Sequence, residues 1–155
     1  GPVARLSHAF SAVGRPAGME IRELETGDER REAVPVLREL WSGKEPAEVL
    51  AWTGEDDYHL FGGYVEGELV GVAGALVAGV LHHARHAWLY DLVVVEPRRG
   101  EGYGRELVGF VEDWARERDC ESVALASPLD REGTHEFYDA LDYEQWGYVV
   151  EKGLE

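Results

Sequence analysis

Arg98, Arg99, Gly100, Gly102, Gly104 and Arg105 stand together in one short stretch of the chain. Cations and glycines this close suit an anion. Glycines let a phosphate approach the backbone, and arginines add positive charge beside it. The stretch follows the apolar, β-branched run Leu92-Val93-Val94-Val95, which reads as a strand covered on both faces and closed by Pro97. It precedes Leu107, Phe110, Val111 and Trp114, which recur at helical spacing and form one apolar face. Strand, glycine turn and helix start together expose N–H groups without intrahelical partners. The helix dipole adds roughly half a positive charge at the same point.

Which phosphate the turn holds follows from spacing. A nucleoside-triphosphate loop needs Gly-Lys-Ser/Thr at the helix start, and this helix opens with Gly-Arg-Glu. The dinucleotide fingerprint G-x-G-x-x-G does not match glycines at 100, 102 and 104. A glycine turn with no ligand is the bland alternative, and the strand and helix around it argue against that. The residues resemble the acetyl-coenzyme A loop of the GCN5-related N-acetyltransferase (GNAT) family, Arg/Gln-x-x-Gly-x-Gly/Ala, filled here by Arg99, Gly102 and Gly104. The resemblance implies that the loop Arg99, Gly100, Glu101, Gly102, Tyr103, Gly104 and Arg105 binds the coenzyme A pyrophosphate. It also implies that the backbone of Leu92, Val93 and Val94 bonds the pantetheine arm.

Acyl transfer from a thioester to an amine requires loss of a proton from the amine, a donor to the developing oxyanion, and in some cases a proton for the leaving thiolate. Thr134-His135-Glu136-Phe137-Tyr138-Asp139-Ala140-Leu141 resembles the family's second signature. That implies Tyr138 as the acid, since a phenol of ordinary pKa near 10 stays protonated at neutral pH. Packing is the alternative role, and is the expectation for Phe137. The family's Asn seven residues before this tyrosine is Arg131 here, a cofactor-binding candidate that lacks the amide. The family's Gly after Leu141 is Asp142, which tolerates a left-handed turn. Asp91, in Trp88-Leu89-Tyr90-Asp91-Leu92, is the candidate base or amine binder. A carboxylate beside an apolar run is costly unless paired, so a structural role is equally open. Tyr90 and Glu45 are weaker options. His82, His83 and His86 are expected in an exposed connector without a fourth ligand, so no metal is expected. His135 reads as packing or surface. Trp41, Trp52, Phe61 and Tyr64 suit either an acceptor wall or the core.

The elements that must position these groups follow in order. A strand is expected over residues 19–24 and a helix over Glu29–Trp41, with Val34, Leu37, Leu40 and Trp41 inward and Pro35 as a kink or break. A short helix runs from Glu45 or Pro46 to Trp52. Strands follow at 58–65 and 69–77, then a connector over 80–86, the central strand and the helix after the glycine turn. A strand at 122–127, a helix at 133–141 and a closing strand over 143–150 complete the chain. This order gives an α/β fold, with a mixed antiparallel/parallel central sheet flanked by helices, and it is also the order of the acyl-CoA N-acyltransferase (GNAT) fold. Residues 1–18 contain no acid and read as a tag or extension. Residues 19–155 read as a single N-acetyltransferase domain.

With 155 residues the chain suits one domain. A net charge of −16, from 31 acids against thirteen arginines and two lysines, repels nucleic acid and anionic membranes. It makes the local arginine cluster stand out. An acidic, lysine-poor surface resembles halophilic proteins, and it equally suits cationic amines. One cysteine, Cys120, fits a reducing cytoplasm. The expected activity is acetyl-coenzyme A dependent N-acetyl transfer to a primary amine by direct attack in a ternary complex. The acceptor, a small molecule or a peptide, stays open. The alternatives are a non-catalytic acyl-coenzyme A binding or sensing module on the same fold, and an acyltransferase for longer chains. Members of the family often form homodimers.

Overall fold

The structure is a computed structural model that describes residues 18–80, 84–126, 132–145 and 150–154. The chain packs as two compact units, one ending at Ala124 and one starting at Leu125. In the first unit, β1 (Glu20–Glu23) leads into α1 (Gly27–Leu37) and α2 (Pro46–Thr53). β2 (His59–Val65), β3 (Glu68–Val80) and β4 (Ala84–Val94) follow, then a 3-10 turn (Glu96–Arg98), α3 (Tyr103–Glu117) and β5 (Ser122–Leu125), whose last residue begins the second unit. The second unit holds α4 (Glu132–Ala140).

Local chemistry sets the boundaries. α1 opens on a capping box, in which the Glu29 N–H donates to Thr26 Oγ1 and the Thr26 N–H donates to Glu29 Oε1, both at 3.1 Å. α1 ends at Leu37 rather than Trp41, with Pro35 inside it. Leu40 and Trp41 keep the apolar rhythm, but they lie in the turn that follows. α2 starts at Pro46, which has no N–H to leave unpaired.

The five strands form one mixed sheet in the order β1-β2-β3-β4-β5. β1 to β4 pair antiparallel, and α3 then crosses over to bring β5 beside β4. One face carries Tyr58, Leu60, Tyr64, Val72 and Val93, which pack with Leu24, Ala33, Val34, Val36, Leu37 and Val49. Burying each such aliphatic side chain is worth about 1.5–3 kcal/mol. On the other face the Phe61 ring meets Phe110 at 5.3 Å and Trp114 at 5.2 Å, both from α3.

β3 and β4 are longer than the sequence suggests. Ala78 pairs with His86 and Gly79 with Arg85. His86 is therefore a buried strand residue, where an exposed connector was expected. His82 and His83 lie outside the described residues. Of the expected closing strand, residues 146–149 lie outside them, and Tyr143–Gln145 belong to no regular element. Between Gly74↔Asp91 and Ala75↔Leu89 the register slips by one residue, so Tyr90 is an extra residue in β4. Such a bulge bends the strand and re-aims its side chains.

Candidate active site

The glycine turn is built as an open cradle. Gly100 has φ +82° and Gly102 φ +92°, in the left-handed region that side chains disfavour. A Cβ at either position would meet nothing within 4 Å among the described residues, so this backbone faces away from them. Gly102 is also the N-cap of α3, and no side chain caps that helix. α1 is the contrast, because its own Thr26 and Glu29 serve its first turn. Gly104 lies inside the first helical turn and Arg105 beside it is exposed. Glu101 is half-buried. Tyr103 is buried, which leaves its backbone as the part that can serve the loop. Its phenol is raised by burial, against the Arg98 charge, and the Arg98 guanidinium lies 5.7 Å from the ring centre. The buried Nε of Arg98 has no hydrogen-bond partner among the described residues.

Arg99 is held rather than loose. Its Nε donates to the Val94 carbonyl at 2.8 Å and its Nη2 to Glu39 Oε1 at 2.9 Å. On the strand before it, Val93 is buried and Leu92 and Val94 are half-buried. The Glu121 N–H donates to the Arg85 carbonyl at 2.7 Å, so β5 begins beside the start of β4. Four residues take it only to Leu125. Leu92–Val94 lie past that length, so among the described residues no β5 residue is paired with their edge. The residues present therefore fit a pyrophosphate and its pantetheine arm: two glycines with open faces, an uncapped helix start, nearby arginines and, among the described residues, a strand edge that β5 does not cover.

Asp91 sits just past the bulge and is 3% exposed. Trp41 Nε1–H donates to its Oδ1 at 2.7 Å and the Tyr58 hydroxyl to its Oδ2 at 2.6 Å. These are the lengths of charge-assisted bonds, and they offset the cost of burying the carboxylate. Burial, reinforced by the Asp91 charge and the hydrogen bond itself, raises the Tyr58 phenol well above its ordinary value. Tyr58 therefore remains a donor. Trp41 is 45% exposed and Tyr90 53% exposed, so aromatic surface stands beside a buried negative charge. Glu45, the N-cap of α2, is exposed and makes no side-chain cap bond. Phe61 and Tyr64 belong to the core, and Trp52 is exposed.

In the second unit, Tyr138 lies on α4 with its ring 5.1 Å from Phe137 and 5.5 Å from Tyr143. Burial pushes its phenol up to about 12. Asp142 takes the left-handed turn, φ +69°. Arg131 lies outside the described residues. Among the described residues no three His, Cys, Asp or Glu side chains are grouped to hold a metal.

The sequence reading missed Tyr58, Trp41 and Glu39 as partners of Asp91 and Arg99. One signal was present. Gly74 lies in the middle of β3, and a Cβ there would collide with the Tyr58 hydroxyl. A glycine inside a strand marks a close approach of this kind.

Residues 19–143 match the acetyltransferase (GNAT) family. The chain belongs to that family. This acetyltransferase is 30% identical over 140 residues to the uncharacterized N-acetyltransferase YhdJ of Bacillus subtilis (strain 168), an alignment spanning 88% of this chain and 96% of that one. It is 33% identical over 91 residues to the aminoalkylphosphonate N-acetyltransferase of Salmonella typhimurium (strain LT2), covering 57% of this chain and 58% of the relative. Among solved structures it resembles the aminoglycoside N-acetyltransferase AAC(6')-Iy in complex with CoA, at 19% identity and TM-score 0.79, over 90% of this chain and 97% of that one. It also resembles the ribosomal-protein-alanine N-acetyltransferase of Brucella melitensis biovar Abortus 2308, at 20% identity and TM-score 0.76, over 88% and 100%. Among the described residues no helix is long and apolar enough to cross a membrane.

Proposed function

We propose that this acetyltransferase moves the acetyl group of acetyl-CoA to a primary amine by direct attack in a ternary complex. The observation that carries the reading is the open glycine cradle, Gly100 and Gly102 at positive φ before an uncapped helix start. In this reading Arg99, Gly100, Glu101, Gly102, Tyr103, Gly104 and Arg105 hold the pyrophosphate through backbone N–H groups and arginine charge. The β5-side edge of Leu92, Val93 and Val94 holds the pantetheine arm, and Arg131 adds a contact.

Asp91 serves the amine. Both of its oxygens already accept a donor, yet each keeps a lone pair, so it can take an N–H of the amine. Its charge also stabilises the positive charge that grows on the nitrogen as the C–N bond forms. The amine then gives its excess proton to Asp91 or to water. Tyr138 supplies a proton to the sulfur as the C–S bond breaks; its place in the second signature supports this role, and burial keeps its phenol in the protonated form that can donate. The acceptor is read as a small cationic amine, which the acidic charge of the chain favours. A reducing, cytoplasmic setting accords with the one free cysteine, Cys120.

Calorimetric titration of acetyl-CoA into the wild type and Gly102→Val tests the cradle. The reading expects saturable binding by the wild type. It expects a loss of at least about tenfold in the variant, since a branched side chain at φ +92° both strains the turn and fills the approach. Equal binding by the two proteins would sink the assignment of the loop.

A further inference from the structure

Glu39 lies in the turn that follows α1, and its Oε1 makes two contacts with the cofactor loop region. It accepts from Arg99 Nη2 at 2.9 Å and from the backbone N–H of Glu96 at 3.2 Å. Arg99 is pinned at a second point, because its Nε donates to the Val94 carbonyl at 2.8 Å. A guanidinium has five N–H donors in one rigid plane, so three stay available once these two are used. The turn that carries Glu39 is itself fixed. The Glu39 N–H donates to the Val36 carbonyl at 3.1 Å, the Trp41 N–H to the Leu37 carbonyl at 2.9 Å, and Arg38 Nε to the Lys44 carbonyl at 2.9 Å. Two residues beyond Glu39, Trp41 donates to Asp91. One short turn thus grips the glycine loop at one residue and the buried carboxylate at another.

The geometry points to Glu39 as a positioning residue for cofactor binding: it holds the Arg99 guanidinium against the end of β4, with donors left over for a pyrophosphate. The inference rests on reading the glycine loop as the acetyl-CoA site. The Arg99 and Glu39 side chains are 52% and 33% exposed, so their ion pair adds little as a charge interaction in water. A long arginine that is already oriented loses less freedom when a phosphate arrives, which lowers the cost of binding. The Glu39 charge itself opposes an incoming pyrophosphate, so its value lies in the hydrogen bonds. Glutamine keeps an acceptor for both donors and drops the charge.

The test is calorimetric titration of acetyl-CoA into the wild type, Glu39→Gln, Glu39→Ala, Arg99→Ala and the Glu39→Ala/Arg99→Ala double variant, together with steady-state kinetics. Glu39→Ala is expected to weaken binding about fivefold and to raise KM for acetyl-CoA in step with kcat unchanged, as an exposed charge-assisted bond allows. Glu39→Gln is expected to bind within about twofold of the wild type or tighter. The double variant should bind no more weakly than Arg99→Ala, because Glu39 acts through that side chain. Three results would each overturn the inference while leaving the loop assignment standing: Glu39→Ala binding like the wild type, Glu39→Gln as weak as Glu39→Ala, or the full Glu39→Ala loss persisting without Arg99. A wild type that does not bind acetyl-CoA would remove the loop assignment and the inference together.

Discussion

Removing the Asp91 carboxylate should unfold more of the protein than removing its charge. Asp91 is 3% exposed and accepts from the buried Tyr58 hydroxyl at 2.6 Å and from Trp41 Nε1 at 2.7 Å. Asp91→Ala strands both donors. A buried unsatisfied hydroxyl costs about 1–3 kcal/mol. The Trp41 ring is 45% exposed and its N–H can turn to water, so its loss adds at most about 1 kcal/mol. The sum is a destabilisation of about 1–4 kcal/mol, whose upper end exceeds what most single substitutions cost. Asp91→Asn keeps a carbonyl for the Trp41 N–H, and its NH2 can donate to the Tyr58 oxygen. It gives up charge assistance but also the burden of a buried charge, so the net change stays within about 1 kcal/mol. Urea unfolding followed by tryptophan fluorescence reads both, and the denaturant slope should not change, since the surface exposed on unfolding is the same. Both variants should lose acetyl transfer, because neither carries the charge beside the amine. Equal stability of Ala and Asn would refute the claim that these donors depend on the carboxylate. Full activity in Asp91→Asn would refute its role toward the amine.

Other predictions follow from single features. Tyr138→Phe should lower kcat by about a hundredfold with acetyl-CoA affinity unchanged, the usual yield of one positioned proton donor. The same variant changes alkaline stability: folding favours the neutral phenol, whose value rises to about 12, so its stabilisation is complete below about pH 10 and is lost as pH climbs through 12. At pH 11 the wild type should therefore have lost about 1 kcal/mol that Tyr138→Phe keeps, readable from chemical unfolding at pH 8 and pH 11. Gly74→Ala should cost about 1–3 kcal/mol and lower activity, because the new methyl collides with the Tyr58 hydroxyl and pushes it from Asp91. With a net charge of −16, thermal stability should rise from low salt to molar KCl, where the Debye length shrinks to about 3 Å and self-repulsion is screened. A flat or falling melting temperature would speak against a salt-adapted surface.

The strand, glycine turn and helix were legible because each carries its own local signal. Leu92 to Val95 are apolar and, in the three valines, β-branched, Pro97 closes the strand, and Gly100 and Gly102 sit where φ is positive. Asp91 was legible as a costly carboxylate in an apolar run. Its partners were not, since Tyr58 and Trp41 lie 33 and 50 residues away in sequence. Nothing local says that the chain brings them back. The bulge at Tyr90 was hidden for the same reason, as it exists only in the register of β4 against β3. The end of α1 was misplaced because Leu40 and Trp41 continue the apolar spacing after the backbone has left the helix. His86 was misplaced because β4 starts earlier than its apolar run, with Ala84 and Arg85 already paired to β3.

The most direct test of the account is product analysis by mass spectrometry. The protein is incubated with acetyl-CoA and a panel of small primary amines, amino acids and peptides, and free thiol is counted alongside. The account predicts one acetylated amine for each thiol released, with at least one small cationic amine turned over and the activity lost in Asp91→Asn. Thiol release without an acetylated amine, or bound acetyl-CoA with no turnover of any amine, would contradict it.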